Sequence, residues 1–214
     1  QEHGIEKPKL TILEGEAAET IVSKSENAEI EAVVMCSHGR SGLGRWLLGS
    51  VANQVVRAAR KPILVVKADK SARPPSFKRL LVPLDGSGLS EEAFQFAVRL
   101  ARDFESEIVL LRCVDFSSYS TTHIKVALQY ELEEAERYLN SLPAAYPDVK
   151  ITREVKANTI TRGILESASN CDVIVMSTHG ASGFERWLLG SVTEKVLARS
   201  EKPVFVITHG EALE

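Results

Sequence analysis

Short apolar runs recur along the chain, at AVVM (32–35), ILVV (63–66), VIVM (173–176) and VFVI (204–207), with longer ones at LLVPLD (80–85) and IVLLRCV (108–114). Each is too short for a helix and most are rich in β-branched residues, the pattern of strands buried on both faces of a sheet. KLTILEG (9–15) and VKITREV (149–155) read as two further strands. Helical patterns lie between them, over Glu16–Ser25, Ser90–Phe104, Ile124–Leu142 and Thr159–Ser169, with two more helices starting near Ser50 and Ser191. Strands alternating with helices predict an α/β fold, an open parallel sheet with helices on both faces.

The pattern is written twice. HGRSGLGRWLLGS (38–50) returns as HGASGFERWLLGS (179–191), and residues 33–67 match 174–208 without gaps at 17 of 35 positions. A duplicated α/β unit follows. The two copies differ in what precedes them. Residues 77–208 supply five strands, a complete open sheet, whereas the first copy holds only the strands at 9–15, 32–35 and 63–66. A half-sheet exposes a long parallel edge and an uncovered apolar face. The expected organisation is therefore residues 1–68 as the back half of a first domain, 69–77 as a linker and 78–209 as a complete second domain. The last strands of the copies, 62–67 and 203–208, are expected to cover each other's edges about a pseudo-two-fold axis, within one chain or in a homodimer.

The charge balance narrows the partners. The formal net charge is −3, with no Lys/Arg run, which argues against nucleic acid. No apolar run approaches the roughly 18–20 residues of a membrane span, so no membrane partner is expected. Cys36, Cys113 and Cys171 are odd in number and show no CxxC spacing, which suggests reduced thiols in a cytoplasmic protein, without a disulfide framework or zinc site.

Candidate chemistry centres on the repeated loop. In MSTHGASGFERWLLGSVTE (176–194) a glycine follows the buried strand and Gly190-Ser191 opens a helix. Ser191 with Glu194 has capping-box spacing, which places Ser191 at the N-cap. A helix N-terminus at the carboxyl end of a parallel strand offers N–H groups and partial positive charge to a phosphate. The same residues also serve turn geometry and packing, and the loop is neither a Walker A loop nor GxGxxG. Asp85, ending the first strand of the complete domain, has two roles open to it: receiving a ribose hydroxyl, or capping the Asp-Gly-Ser turn. Ser87 is a further anion contact of low specificity.

LLVPLDGS, MSTHGASGFERWLLGSV and the closing KPVFVI together resemble the universal stress protein family, over residues 9–67 and 78–208. The resemblance implies a five-stranded parallel open sheet of the Rossmann-like, adenine nucleotide alpha hydrolase-like kind, here in a tandem member whose first domain is truncated. Some members bind ATP through G-x2-G-x9-G-[S/T]; others bind no nucleotide. Carried over, the motif implies a nucleotide site at Asp85, Cys113, Ser177, Gly180, Gly190, Ser191 and Val192, with Cys113 at the position whose backbone meets adenine. Cys36, Gly39, Gly49 and Ser50 form a second, incomplete set. Ser177 and Cys36 stand where the motif has its first glycine. The implied ligand is ATP, with or without Mg2+, or AMP or ADP.

His38 and His179 beside the loop glycines lack an evident nucleophile and orienting acid, so they read as loop-orienting or phosphate-adjacent residues. Arg40 reads as a solvated loop arginine, Trp46 and Trp187 as packing anchors, and Met35 and Met176 as core. Three functions stand at this point. The first is an ATP-binding stress-response regulator with little or no turnover, the second a nucleotide-free interaction module, and the third and weakest an adenylating or hydrolytic enzyme, for which no metal cluster or catalytic set is evident.

Overall fold

The computed structural model describes residues 8–37, 48–67, 76–115, 124–179 and 189–208. In chain order the elements are α1 (Ala17–Ser25), β1 (Val33–Cys36), α2 (Ser50–Ala58), β2 (Ile63–Val66), β3 (Arg79–Pro83), α3 (Gly88–Phe104), β4 (Glu107–Val114), α4 (Ile124–Ser141), β5 (Ile151–Ala157), α5 (Ile160–Ala168), β6 (Val173–Ser177), α6 (Ser191–Arg199) and β7 (Val204–Ile207). All seven strands form one sheet in the order β1-β2-β7-β6-β3-β4-β5. The five strands of residues 78–209 are mutually parallel, as are β1 and β2. The two sets meet where β2 pairs antiparallel with β7, Ile63 opposite Val206, Leu64 opposite Phe205 and Val65 opposite Val204. That joint removes two strand edges from solvent at once.

Alternation along each strand sends side chains to two separate cores. Ile63, Val65, Leu81, Ile174, Met176, Val204 and Val206 point to one face, under α1, α2, α5 and α6 through Ala18, Val55, Ile164 and Val196. Leu64, Leu80, Val82, Val173, Val175, Phe205 and Ile207 point to the other, under α3 and α4 through Phe94, Ala97, Ala101 and Leu139. Phe205 meets Phe96 edge-on at 5.1 Å between ring centroids and lies 6.5 Å from Phe77, which ties β7 to α3 and to the entry of β3.

Two sequence expectations are corrected. Residues 9–15 do not form a strand; 8–14 run without regular structure, and Leu10 and Ile12 are each 87% exposed. A strand needs a hydrogen-bonding neighbour, and among the described residues no strand pairs with 8–14 as β4 pairs with β5 in the second copy. The helix expected from Ser90 begins at Gly88, because Ser87 is its N-cap and its hydroxyl accepts the Ser90 N–H. Residues 68–75, most of the expected linker, lie outside the described residues.

Phe205→Ala removes the ring that locks β7 against α3. It should lower stability by about 3–5 kcal/mol in denaturant unfolding, whereas Val126→Ala, at a position 78% exposed, should leave the midpoint unchanged.

Candidate functional site

The order β7-β6-β3-β4-β5 reverses direction at β3: the chain runs from β3 outward to β4 and β5, then returns to the other side at β6. Ligands of open α/β sheets bind in the crevice past the carboxyl ends of the strands at such a point. Asp85 follows the end of β3, Cys113 lies near the end of β4, and Ser177–His179 run from the end of the adjacent β6. Residues 180–188, which include Gly180, Gly183 and Trp187, fall outside the described residues, as do His38, Gly39, Arg40 and Trp46 of the first copy.

Gly190 brings α6 into this crevice. Its N–H donates to the Thr178 carbonyl at 2.8 Å, and a Cβ on Gly190 would stand 2.9 Å from that same oxygen and 3.4 Å from the His179 Cα. Close approach of backbone to backbone therefore requires glycine here, at an ordinary φ of −61°. Ser177 also lies in regular strand: among the described residues the only non-glycine with positive φ is Glu105. Serine in place of the motif's first glycine thus costs no backbone strain. The Ser177 hydroxyl donates to the His179 carbonyl at 2.7 Å, and its own carbonyl accepts the buried Thr193 hydroxyl at 2.9 Å. Thr193 thereby clamps the first turn of α6 to the end of β6.

The expected capping box is not formed. Gly190, not Ser191, is the N-cap of α6; Ser191 is the first helical residue, and no side chain caps the helix. The first helical turn closes one residue earlier, with the Gly190 carbonyl accepting the Glu194 N–H at 2.9 Å. Among the described residues no acceptor takes the N–H groups of Ser191, Val192 and Thr193. These three donors, with the helix dipole behind them, have the chemistry that suits an anion.

The first copy repeats the arrangement. The Gly49 N–H donates to the Ser37 carbonyl at 2.8 Å, Gly49 is the N-cap of α2 without a side-chain cap, and Ser50 is the first helical residue. Cys36 ends β1 and is exposed. No described strand stands in the place that β3 takes beside β6, so nothing there corresponds to Asp85.

Asp85 realises the turn-capping role. Its Oδ1 accepts the Ser87 N–H at 3.0 Å and the Ser87 hydroxyl at 2.6 Å, across Gly86, whose φ of +82° suits glycine. Arg112, not singled out by the sequence analysis, supports the same turn: its Nη1 donates to the Leu84 carbonyl at 3.1 Å and its guanidinium lies 5.8 Å over the Tyr138 ring. Tyr138 donates to Glu91 Oε1 at 3.0 Å, and burial, with that carboxylate, raises the phenol above its ordinary range. A charged residue inside the apolar run IVLLRCV was the available signal for Arg112. A second such signal is Gly163, inside a helix, where a Cβ would come within 2.4 Å of the Cys113 sulfur. Burial pushes the Cys113 thiol up to about 11, which favours the protonated form at neutral pH.

An open, mostly parallel sheet with a crevice at its strand reversal defines the chain as a Rossmann-like α/β protein. Its sequence goes further. The Universal stress protein family profile matches residues 1–67 and 76–208, and the chain belongs to that family. A universal stress protein of Mycobacterium tuberculosis is 35% identical over 199 residues, covering 87% of this chain and 64% of the relative. One from Methanocaldococcus jannaschii is 34% identical over 140 residues, 61% of this chain and 82% of the relative. The crystal structure of a universal stress protein from Archaeoglobus fulgidus shares 26% identity at a TM-score of 0.65, covering 90% of this chain and 67% of that one. The chain thus spans somewhat under two thirds of the mycobacterial relative. Among the described residues no helix is long and apolar enough to cross a membrane.

Two outcomes follow from the packing. Gly190→Ala should destabilise the ligand-free chain by about 1–3 kcal/mol in denaturant unfolding, because the new methyl meets a backbone oxygen that cannot turn aside. Alkylation mapped by mass spectrometry at pH 8 should label exposed Cys36 first. Cys113 and Cys171, both pushed up to about 11 by burial from 9.0, should label only as the pH climbs toward that value. Their folded pKa exceeds the unfolded one, so the stability they contribute is complete below about 9 and falls away as pH rises to about 11. Equal labelling of Cys36 and Cys113 at pH 8 would contradict this packing.

Proposed function

We propose that the chain binds an adenine nucleotide, ATP with or without Mg2+ or else AMP or ADP, in the crevice past β3, β4 and β6. It would act in stress response as a nucleotide-dependent regulator with little or no turnover. The observation that carries the reading is the start of α6: three N–H groups without an acceptor among the described residues, held at the strand reversal by the Gly190–Thr178 contact. Those donors and the Ser191 hydroxyl suit phosphate oxygens. Asp85, just past the neighbouring strand β3, suits the nucleoside end, and Cys113, near the end of β4, would offer its backbone. The pairing of β2 with β7 inside one chain supports an intramolecular pseudo-dimer over a homodimer through those strands.

One observation favours the rival reading, a nucleotide-free interaction module. Asp85 Oδ1 is fully engaged by Ser87, so the turn is complete without a ligand.

The test is to purify the chain without added nucleotide, denature it, identify released small molecules by mass spectrometry, and titrate the emptied chain with ATP and Mg2+. Ser191 is exposed and uncapped. Ser191→Asp places a negative charge that suits the helix dipole and repels phosphate. It should keep or raise stability while weakening nucleotide binding about tenfold or more, roughly 1.4 kcal/mol or more. Ser191→Ala should cost only a few-fold, as the loss of one hydroxyl (about 1 kcal/mol). A parent that neither releases nor binds nucleotide, or an Asp variant that binds as well as the parent, would return the repeated loop to architecture.

A further inference from the structure

Within Ile108–Val114, the apolar body of β4, Arg112 is the only charged residue. Alternation along the strand puts it in line with Ile108 and Leu110, both fully buried on the face under α3 and α4. An apolar residue there would extend that core, whereas a guanidinium pays desolvation unless it finds partners. Its partners all bear on the turn that carries Asp85. Main-chain pairing of β3 with β4 reaches the Leu84 N–H, which donates to the Leu111 carbonyl at 2.8 Å. The Leu84 carbonyl is then taken by a side chain, Arg112 Nη1, at 3.1 Å. A Cβ on Gly86 would stand 3.9 Å from the same nitrogen, so the guanidinium sits against the Asp85-Gly86-Ser87 turn. It also lies over the Tyr138 ring, and Tyr138 is held by its bond to Glu91 in the first turn of α3. Asp85 acts electrostatically on the Tyr138 hydroxyl as Glu91 and Arg112 do, which places the four groups in one cluster.

We infer that Arg112 is the positioning residue for Asp85 and thereby sets the ribose selectivity of the crevice, an inference that rests on the nucleotide reading above. Asp85 is fixed from two sides. Ser87 holds its Oδ1 through an N–H and a hydroxyl, and Arg112 holds the carbonyl of the residue before it. A carboxylate aimed in this way accepts sugar hydroxyls and discriminates against a ligand that lacks them. Arg112 itself makes no ligand contact. The phosphate end at α6 is anchored to β6 through Gly190 and Thr193, so it is independent of Arg112.

The test is calorimetric titration of the full chain, emptied of nucleotide, with ATP, 2′,3′-dideoxy-ATP and tripolyphosphate, each with Mg2+. The parent should prefer ATP to the dideoxy nucleotide about tenfold or more. Arg112→Met should compress that preference to about twofold or less and leave tripolyphosphate affinity within about twofold of the parent. Arg112→Lys, which keeps charge and stem but not the planar fork, should lose about threefold of the preference and carries the test if the Met variant does not fold. Arg153→Met, removing an exposed arginine on β5, should change none of the three affinities. In an Asp85→Asn background, Arg112→Met should alter the preference no further, because it acts through Asp85. A preference kept intact in both Arg112 variants, or a loss of tripolyphosphate binding equal to the loss of ATP binding, would overturn the inference and leave the nucleotide reading standing. So would a parent that binds both nucleotides equally well. A parent that binds neither nucleotide would overturn the nucleotide reading and this inference with it.

Discussion

The antiparallel pairing of β2 with β7 is the constraint on which the rest of the molecule rests. Three residue pairs, Ile63–Val206, Leu64–Phe205 and Val65–Val204, carry it. Without it β7 would be an open edge of a five-stranded sheet, and β1 with β2 would be an isolated pair, too small to stand alone in water. With it, side chains of both copies enter the same two cores: Ile63 and Val65 join Val204 and Val206 on one face, and Leu64 joins Phe205 on the other. The half-copy is thus held by burial against its complete sister, and the apolar alternation of the last strands matters more than their hydrogen bonds alone.

The same duplication explains the loop. In both copies a glycine N–H reaches back to the carbonyl just past a strand, 2.8 Å away in each, and the next helix starts without a side-chain cap. Glycine is demanded by the closeness of two backbones, so the repeated Gly-Ser has a structural cause whether or not a ligand is present. What differs is the setting. At α6 the uncapped turn opens onto the strand reversal past β3 and β4, while at α2 no described strand stands on the corresponding side of β1. A single motif can therefore be architecture in one copy and half of a binding site in the other.

Much of this was legible in the sequence because strand-forming runs buried on both faces leave an unmistakable apolar signature, and the seven strands fall close to where that signature puts them. KLTILEG shows the limit: its strand pattern is real, but a strand is a property of two segments, and no second segment pairs with it among the described residues. Ser191 shows another, since capping-box spacing does not reveal that the Gly190 carbonyl takes the Glu194 N–H and starts the helix one residue earlier. For Asp85 the residue type fitted two roles, and only the Ser87 contacts show that turn capping operates. Arg112 is long-range by nature, reaching the Leu84 carbonyl 28 residues away, which no local pattern encodes.

The most direct measurement of the central claim is an amide NMR titration of the full chain with ATP and Mg2+, comparing the first turns of α6 and α2. The account predicts large shifts at Ser191, Val192 and Thr193, with smaller ones around Asp85 and Cys113, and little change at Ser50, Val51 and Ala52. Shifts of equal size at both helices, or none at α6, would contradict it.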